Sequence, residues 1–220
     1  MELKGKKINF LGDSITEGVG TSGKEHMFVN LIAERTGAIC RNYGISGARI
    51  ARQLNPDPNR SYDEKDFCRR APFMDKDADI VIVFGGTNDF GHGDAPMGEF
   101  TDHTDATFYG AMHVLCRTLI NMYPEGKIVF LTPLHRELED NPNSENRKPV
   151  AGGTLKQYVY AMREVLEYYS LPVLDLYASS GLQPNVEIIK QKYVPDGLHP
   201  NDAGNAVLAD CIINYLKNAF

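Results

Sequence analysis

The sequence predicts an α/β protein, a three-layer α/β/α sandwich with a central five-stranded parallel sheet. Five short apolar runs alternate along the chain with segments whose apolar residues recur every three or four positions, as in amphipathic helices. This alternation requires crossover connections, which place helices on both faces of a parallel sheet. We find no internal repeat and no Pro/Gly/Ser-rich linker, so residues 1–220 are expected to form one domain.

The strand candidates are short runs of the kind that lie buried on both faces of a parallel sheet. They cover residues 8–11, 38–43, 80–84, 128–131 and 173–176. The helical segments carry apolar stripes, and they cover residues 28–32, 108–122, 155–169 and 207–216. Ligands in such sheets bind beyond the carboxyl ends of the strands, so functional residues are expected directly after each strand.

The composition argues against several classes of function. With 23 Lys and Arg against 29 Asp and Glu, the formal net charge of −6 provides no basic surface for nucleic acid or an anionic membrane. No run approaches the ~18 apolar residues that would favour insertion into a membrane. No signal peptide is recognisable, so a cytoplasmic location is expected. The four cysteines lack Cys-x-x-Cys spacing and are expected to be buried free thiols: Cys40, Cys68, Cys116 and Cys211.

A candidate nucleophile follows the first strand. Gly12, Asp13 and Ser14 form a tight turn that leads toward the first helix and would lift the serine hydroxyl above the sheet. A serine hydroxyl is a weak nucleophile at neutral pH unless a neighbouring base removes its proton. The same residues are also compatible with a plain turn and helix cap.

Two further loops combine glycine with polar residues. Gly44 and Gly47 follow the second strand, where glycine permits unusual backbone angles and close approach of a ligand to a backbone amide. Asn88 follows the third strand behind two glycines. Its side-chain amide can donate to an oxyanion, although turn capping is the ordinary role of asparagine in such a position.

A candidate base stands just before the last amphipathic helix. Asp196 and His199 are three residues apart in a turn, so the carboxylate can reach the imidazole and fix its tautomer. The other ring nitrogen is then free to accept the Ser14 proton. This arrangement reproduces the logic of a serine-hydrolase triad in the chain order Ser, Asp, His.

Together these segments resemble the SGNH hydrolases, also called GDSL esterases and lipases. Four blocks of that family occur in order between residues 12 and 200: Gly12-Asp13-Ser14-Ile15, Ser46-Gly47, Gly86-Thr87-Asn88-Asp89 and Asp196-Gly197-Leu198-His199-Pro200. Ile15 stands where the family has leucine, a change of similar volume. The resemblance implies a flavodoxin-like fold of the SGNH hydrolase type and a carboxylic ester hydrolase that works without a metal or cofactor.

The resemblance also implies a role for each matching residue. Ser14 corresponds to the nucleophile, His199 to the general base and then acid, and Asp196 to the residue that orients the imidazole.

The implied oxyanion hole combines the backbone amides of Ser14 and Gly47 with the side-chain amide of Asn88. Asp13 and Asp89 are expected to brace the two turns without contacting the substrate.

The implied partner is a small-molecule acyl ester, and the family admits acetylated sugars, lysophospholipids, acyl thioesters and small aryl esters. Residues 89–104 and 135–153 form polar segments after the third and fourth strands, and they are interpreted either as lids or as surface excursions. Their polar character favours a short acyl group on a hydrophilic alcohol such as a sugar. A lysophospholipase or thioesterase type of lipolytic hydrolase is the alternative. The oligomeric state is not predicted.

Several other residues have two interpretations. His135 and Arg136 follow the fourth strand, so each either contacts substrate or lies on the surface. His92 and His103 share an Asp-rich loop but lack metal-ligand spacing, so they are interpreted as solvated loop residues. His113 lies in a helical stripe and is interpreted as a histidine with its hydrogen bonds satisfied inside the protein.

A phosphate-binding loop is the main competing motif. Residues 18–24 match its first seven positions, but Glu25 occupies the place of the required Ser or Thr. A carboxylate there would repel phosphate. This imperfect motif still leaves one alternative from a different functional class, a nucleotide- or ligand-binding module without catalysis.

Overall fold

The computed structural model describes residues 1–61, 64–141 and 152–219, and it confirms the predicted α/β sandwich. Its parallel sheet has the strand order β2-β1-β3-β4-β5. The strands are β1 Lys7–Gly12, β2 Ile39–Gly44, β3 Ile80–Phe84, β4 Lys127–Leu131 and β5 Val173–Leu174. The carboxyl ends of β1, β2 and β3 lie side by side, because Gly12 is in register with both Gly44 and Phe84.

Helices flank the sheet on both faces and connect the strands. The α-helices are α1 Ser14–Glu17, α2 Phe28–Thr36, α3 Phe67–Arg70, α4 Thr87–His92, α5 Phe108–Met122, α6 Leu155–Tyr168, α7 Leu176–Ser179, α8 Glu187–Tyr193 and α9 Asp202–Ala219. Two short 3-10 helices cover Lys24–His26 and Ala71–Phe73.

The core has two halves, one on each face of the sheet. Val81 and Val83 of β3 pack with α5 and α6, whereas Ile80, Ile82 and Phe84 pack with α2 and α9. All five residues of β3 are buried, as expected for the central strand of a parallel sheet covered on both sides. This burial fixes the end of β3, and therefore the start of α4, which carries Asn88.

Several elements differ from the sequence prediction. β5 ends at Leu174 instead of continuing to residue 176, because the Asp175 side chain accepts the Ala178 N–H and caps α7. Five short helices were not predicted: α1, α3, α4, α7 and α8. None of the residues of α8 is buried, so this helix lacks the apolar stripe that marks the predicted helices.

The four cysteines are free thiols, as predicted. Cys68 and Cys116 are buried, while Cys40 and Cys211 are only partly buried, which corrects the prediction for those two residues. Burial raises the pKa of Cys40 and of Cys116 to about 12, so these thiols remain protonated at neutral pH.

Across residues 1–61, 64–141 and 152–219, no helix combines the length and the hydrophobicity needed to cross a membrane.

Candidate active site

Ser14 begins helix α1 immediately beyond the end of β1. Asp13 caps this helix by accepting the Ile15 N–H at 3.0 Å. Gly12 allows the helix to fold back tightly, since a Cβ at that position would lie only 2.0 Å from Oγ1 of Thr16. The Ser14 side chain is consequently held at the carboxyl edge of the sheet, where the residue keeps 6% of its surface exposed.

Ser14, His199 and Asp196 form a continuous hydrogen-bonded chain. Oγ of Ser14 lies 2.9 Å from Nε2 of His199, and Nδ1 of His199 lies 2.7 Å from Oδ2 of Asp196. An ionised carboxylate only accepts hydrogen bonds, so Nδ1 carries the ring proton and Nε2 is left to accept the serine proton. The structure therefore brings together three residues that are up to 185 positions apart in sequence.

Asp196 is held in its ionised form by its own turn. Its Oδ1 atom accepts the backbone N–H groups of Leu198 at 2.9 Å and of His199 at 2.7 Å. Burial opposes ionisation, but the His199 ring and these two backbone donors lower the pKa of Asp196 to about 2. The carboxylate can thus orient the imidazole and stabilise it when it becomes protonated.

The loop after β2 lies beside Ser14. Gly47 has a φ of +76°, a left-handed conformation that favours glycine. The Glu17 carboxylate anchors the same loop by accepting the Ser46 N–H at 2.6 Å and the Ser46 hydroxyl. Within the described part of the chain, the backbone N–H groups of Ser14 and Gly47 have no hydrogen-bond acceptor.

Asn88 occupies the first turn of α4 and is 96% buried, with 4% of its surface exposed. Its Nδ2 atom donates to the Ala48 carbonyl at 2.9 Å, and its Oδ1 atom lies 3.1 Å from Nε2 of His92. The next residue, Asp89, accepts the backbone N–H groups of Ile50 and Ala51, both at 2.9 Å. These bonds tie the first turn of α4 to the loop that follows β2.

Asp13 is the most perturbed carboxyl group near Ser14. Burial raises the pKa of Asp13 to about 7, although the Ile15 N–H and the nearby His199 favour the charged form. The sequence pattern placed Asp13 beside Ser14 but contained no indication of this raised pKa, because it depends on the burial of Asp13 in the folded protein.

Arg136 is buried away from the surface. Its NH1 atom donates to the Thr87 carbonyl at 3.1 Å and to the Thr87 hydroxyl at 3.3 Å. The guanidinium also lies 5.4 Å from the centroid of the Phe90 ring. Arg136 therefore supports α4 from below, and the surface interpretation of this residue is wrong.

His135 is partly exposed and belongs to a different cluster. Its Nδ1 atom lies 2.8 and 2.9 Å from the two carboxylate oxygens of Glu139, and its ring stacks on Tyr177 with centroids 3.9 Å apart. Of the proposed loop 135–153, residues 142–151 lie outside the described residues.

The other predicted segments have defined structural roles. Segment 89–104 folds back on the body of the protein, where Asp94 accepts the N–H groups of Leu54 and Asn55. His113 is buried and lies 3.0 Å from the Tyr169 hydroxyl and 2.9 Å from the Phe100 carbonyl, in agreement with its interpretation.

Residues 18–24 do not form a phosphate cradle. Gly18 caps α1, and the segment leads into a three-residue 3-10 helix instead of the long helix that such a loop precedes. The Asp202 carboxylate already accepts the N–H of Ser22 at 2.8 Å and its hydroxyl at 2.6 Å.

Arg70, which no sequence motif indicates, holds the ends of two strands together next to the site. Its guanidinium donates to the Gly12 carbonyl at 2.9 Å and to the Tyr43 carbonyl at 2.7 Å, bridging β1 and β2. An arginine in a polar segment carries no sequence signal for such a role, because the contact depends on how α3 packs.

Comparisons with known proteins agree with this architecture. A family model described as GDSL-like Lipase/Acylhydrolase family matches residues 10–207. One solved structure is 35% identical over 99% of this chain and 98% of its own, with a TM-score of 0.84. A protein from Lactobacillus plantarum is 29% identical over 99% of both chains, with a TM-score of 0.82.

A lipase/acylhydrolase from Enterococcus faecalis shares the fold at 22% identity, with coverage of 97% of this chain and 96% of its own and a TM-score of 0.66. No curated protein matches the sequence. The family model spans most of the chain and includes all four sequence blocks described above. The chain therefore belongs to the GDSL-like lipase/acylhydrolase family.

Proposed function

We propose that the protein is a serine esterase that hydrolyses acyl esters through a covalent acyl-enzyme. Membership of the family implies an ester hydrolase. The observation that carries the proposal is the hydrogen-bonded chain from Ser14 through His199 to Asp196, with distances of 2.9 and 2.7 Å. These distances are within the range for direct proton transfer between nucleophile and base.

In the first half-reaction, Oγ of Ser14 attacks the ester carbonyl carbon while its proton passes to Nε2 of His199. Asp196 stabilises the resulting imidazolium through Nδ1. When the tetrahedral intermediate collapses, the bond to the alkoxy oxygen breaks, and the alcohol leaves with the proton from Nε2. The acyl group remains bound to Ser14 as an ester.

In the second half-reaction, water attacks the acyl carbon as Nε2 of His199 removes its proton. The bond to Oγ of Ser14 then breaks, the serine recovers its proton from the imidazolium, and the carboxylic acid is released. The negative charge that develops on the carbonyl oxygen in both steps requires hydrogen-bond donors held in advance.

We assign these donors to the backbone N–H groups of Ser14 and Gly47 and to the side-chain amide of Asn88. The two backbone groups lack an acceptor within the described residues, and both lie at the carboxyl edge of the sheet. One of the two N–H bonds of the Asn88 amide is taken by the Ala48 carbonyl, so the other is the one that can meet the oxyanion.

The proposed substrate has a short acyl group on a hydrophilic alcohol. Glu137 contacts the turn that carries the Asp196–His199 pair, because its N–H donates to the Gly197 carbonyl at 2.9 Å. The residues directly after Glu137 line one side of a cavity of about 560 Å³, and Gln183 and Asn185 line the other. Five of its six lining residues have polar or charged side chains: Glu139, Asp140, Asn141, Gln183 and Asn185, with Leu138 as the exception. Such a surface suits a polyhydroxylated leaving group better than a lipid chain.

Turnover of p-nitrophenyl acetate tests the chemistry. We expect the wild-type protein and a Ser179→Ala variant, which alters an exposed serine in α7, to hydrolyse the ester equally. Ser14→Ala should lose the activity, since it removes the hydroxyl proposed to form the acyl-enzyme. Unchanged turnover by Ser14→Ala would reject the mechanism.

A comparison of acetyl and octanoyl p-nitrophenyl esters tests the substrate preference. Both esters release the same alcohol, so the comparison isolates the acyl group. We expect a higher kcat/KM for the acetyl ester, and faster turnover of the octanoyl ester would favour a lipolytic hydrolase instead.

A further inference from the structure

Asn88 is held from both sides by hydrogen bonds that leave little freedom to its side chain. Its Nδ2 atom donates to the Ala48 carbonyl at 2.9 Å, and its Oδ1 atom lies 3.1 Å from Nε2 of His92, one helical turn further along α4. On the opposite side of the imidazole, NH1 of Arg49 lies 3.0 Å from Nδ1. These contacts form a chain from Arg49 through His92 to Asn88.

The chemistry of the donors fixes the direction of this chain. A guanidinium can only donate hydrogen bonds, so Nδ1 of His92 must accept and therefore carries no proton. The neutral ring then has its proton on Nε2, which donates to Oδ1 of Asn88. Every hydrogen bond in the chain accordingly points from Arg49 toward Asn88.

This direction determines which way the Asn88 amide faces. The terminal torsion of an asparagine is broad and close to two-fold, so the oxygen and nitrogen readily exchange places unless their partners differ. A reversed amide would set its NH2 group against Nε2–H of His92 and its oxygen against the Ala48 carbonyl oxygen. Both contacts would be repulsive, and the oxyanion would face a carbonyl oxygen in place of an N–H group.

We propose that His92 is a positioning residue that orients the Asn88 amide for the oxyanion, and that Arg49 in turn fixes the tautomer of His92. The inference rests on the proposed function, because it assigns a role to groups that support the same oxyanion hole. It also changes the interpretation of His92, which the sequence alone suggested to be a solvated loop residue.

Arg49 is well placed to fix the ring because its own backbone is anchored. The residue has 2% of its surface exposed, and its carbonyl oxygen accepts the Phe67 N–H at 2.8 Å. On either side of it, Ala48 accepts from Asn88 and Ile50 donates to Asp89. The loop that supplies the guanidinium is thus bonded to the same turn of α4 that it orients.

Two substitutions at position 92 separate positioning from packing. His92→Gln keeps an N–H donor for Oδ1 of Asn88 and an oxygen that can accept from Arg49, whereas His92→Leu fills the space and keeps neither. His103→Leu is the control, because it removes an exposed histidine from a neighbouring loop. The readouts are kcat and KM for p-nitrophenyl acetate, with the melting temperature of each variant.

We expect His92→Leu to lower kcat by about 10- to 100-fold, less than the loss of about 10²- to 10³-fold that follows complete removal of an oxyanion donor. KM should change less than about 3-fold, since the interaction forms in the transition state. His92→Gln should stay within about 3-fold of the wild-type kcat, and His103→Leu should match the wild type.

A double-mutant cycle with Asn88→Ala tests whether His92 acts through Asn88. If it does, His92→Leu in the Asn88→Ala background should lower kcat by less than about 3-fold further. A full, additive loss in that background would overturn the proposal. A wild-type kcat for His92→Leu would overturn it as well, as would a His92→Gln variant that is folded but as slow as His92→Leu.

If His92→Leu does not fold, His92→Asn replaces it in the cycle. Asparagine keeps a polar side chain at this position, but it is too short to reach both Arg49 and Asn88. The Ser14→Ala variant separates this inference from the proposed function. If Ser14→Ala hydrolyses the ester as fast as the wild type, the serine mechanism is rejected. If Ser14→Ala is inactive but His92→Leu is fully active, only the role of His92 is rejected.

Discussion

The backbone N–H of Glu137 donates to the carbonyl oxygen of Gly197 at 2.9 Å, so the segment after β4 holds the turn that carries Asp196 and His199. Lys190 of α8 in turn binds the Glu137 carboxylate at 2.7 Å. The turn that holds the proposed base and its carboxylate is therefore supported by a helix and a loop that have no role in the proposed chemistry.

Gly197→Ala should damage both stability and activity. Gly197 has a φ of +78°, and an added Cβ would lie 2.4 Å from Oε2 of Glu137. Forcing an L-residue into this conformation costs roughly 1–3 kcal/mol of unfolding free energy. Because position 197 lies between Asp196 and His199, we also expect kcat to fall.

Gly181→Ala is the matched control for that substitution. Gly181 has a similar φ of +72°, but an added Cβ would meet no atom within 4 Å. Urea denaturation should show a loss of stability in both variants, while only Gly197→Ala should lose kcat. An equal effect of both substitutions on kcat would contradict the positioning role of the Gly197 turn.

Asp196→Asn should remove most of the activity without unfolding the protein. The amide can donate to Nδ1 of His199, which favours the tautomer that has its proton on Nε2 and cannot accept from Ser14. In serine-protease triads the equivalent change lowers kcat by about 10⁴-fold, and we expect a loss of roughly 10³- to 10⁴-fold here. Steady-state kinetics would measure it, with Asp210→Asn, which alters an exposed aspartate of α9, as control.

A loss of less than about 10-fold in Asp196→Asn would show that the imidazole does not need this carboxylate for its orientation. In that case another group would have to set the tautomer of His199.

Asp13 should make the stability of the protein depend on pH between about 4 and 7. Its pKa is raised by burial to about 7, against an ordinary value of 3.8, so the folded protein retains a proton that the unfolded chain releases. The free energy of unfolding therefore decreases as pH rises across this window. Asp13→Asn can still cap α1 through its side-chain oxygen, and it removes the titration.

Urea denaturation at pH 4.5 and at pH 7.5 measures this effect. We expect Asp13→Asn to gain stability relative to the wild type at the higher pH and to differ less from it at the lower pH. If the difference in the free energy of unfolding between Asp13→Asn and the wild type is the same at both pH values, the raised pKa of Asp13 is contradicted.

Sequence patterns predicted the sheet and the meeting of the first three blocks for a simple geometric reason. Once β1, β2 and β3 are assigned as parallel strands, their carboxyl ends must share an edge, and the residues after them must converge. Ser14, Ser46 and Asn88 each follow one of these ends. The prediction needed only the strand assignments and the order of the motifs.

The supporting contacts were not predictable in this way. Arg49 and His92 are 43 residues apart, and their contact depends on how the loop after β2 packs against helix α4. Arg136 follows a strand, as a substrate-binding residue would, yet it turns inward to Thr87. Polar residues in loops have several possible partners, and only the packed structure selects among them.

Mass-spectrometric mapping of a fluorophosphonate adduct tests whether Ser14 is an activated nucleophile. Such a reagent phosphonylates a serine hydroxyl only when a neighbouring base removes its proton, so most other serines serve as internal controls. We predict a single adduct on the peptide containing Ser14, and none in the Ser14→Ala variant. An adduct on a different serine, or no adduct on a folded wild-type protein, would contradict a hydrolase built on Ser14, His199 and Asp196.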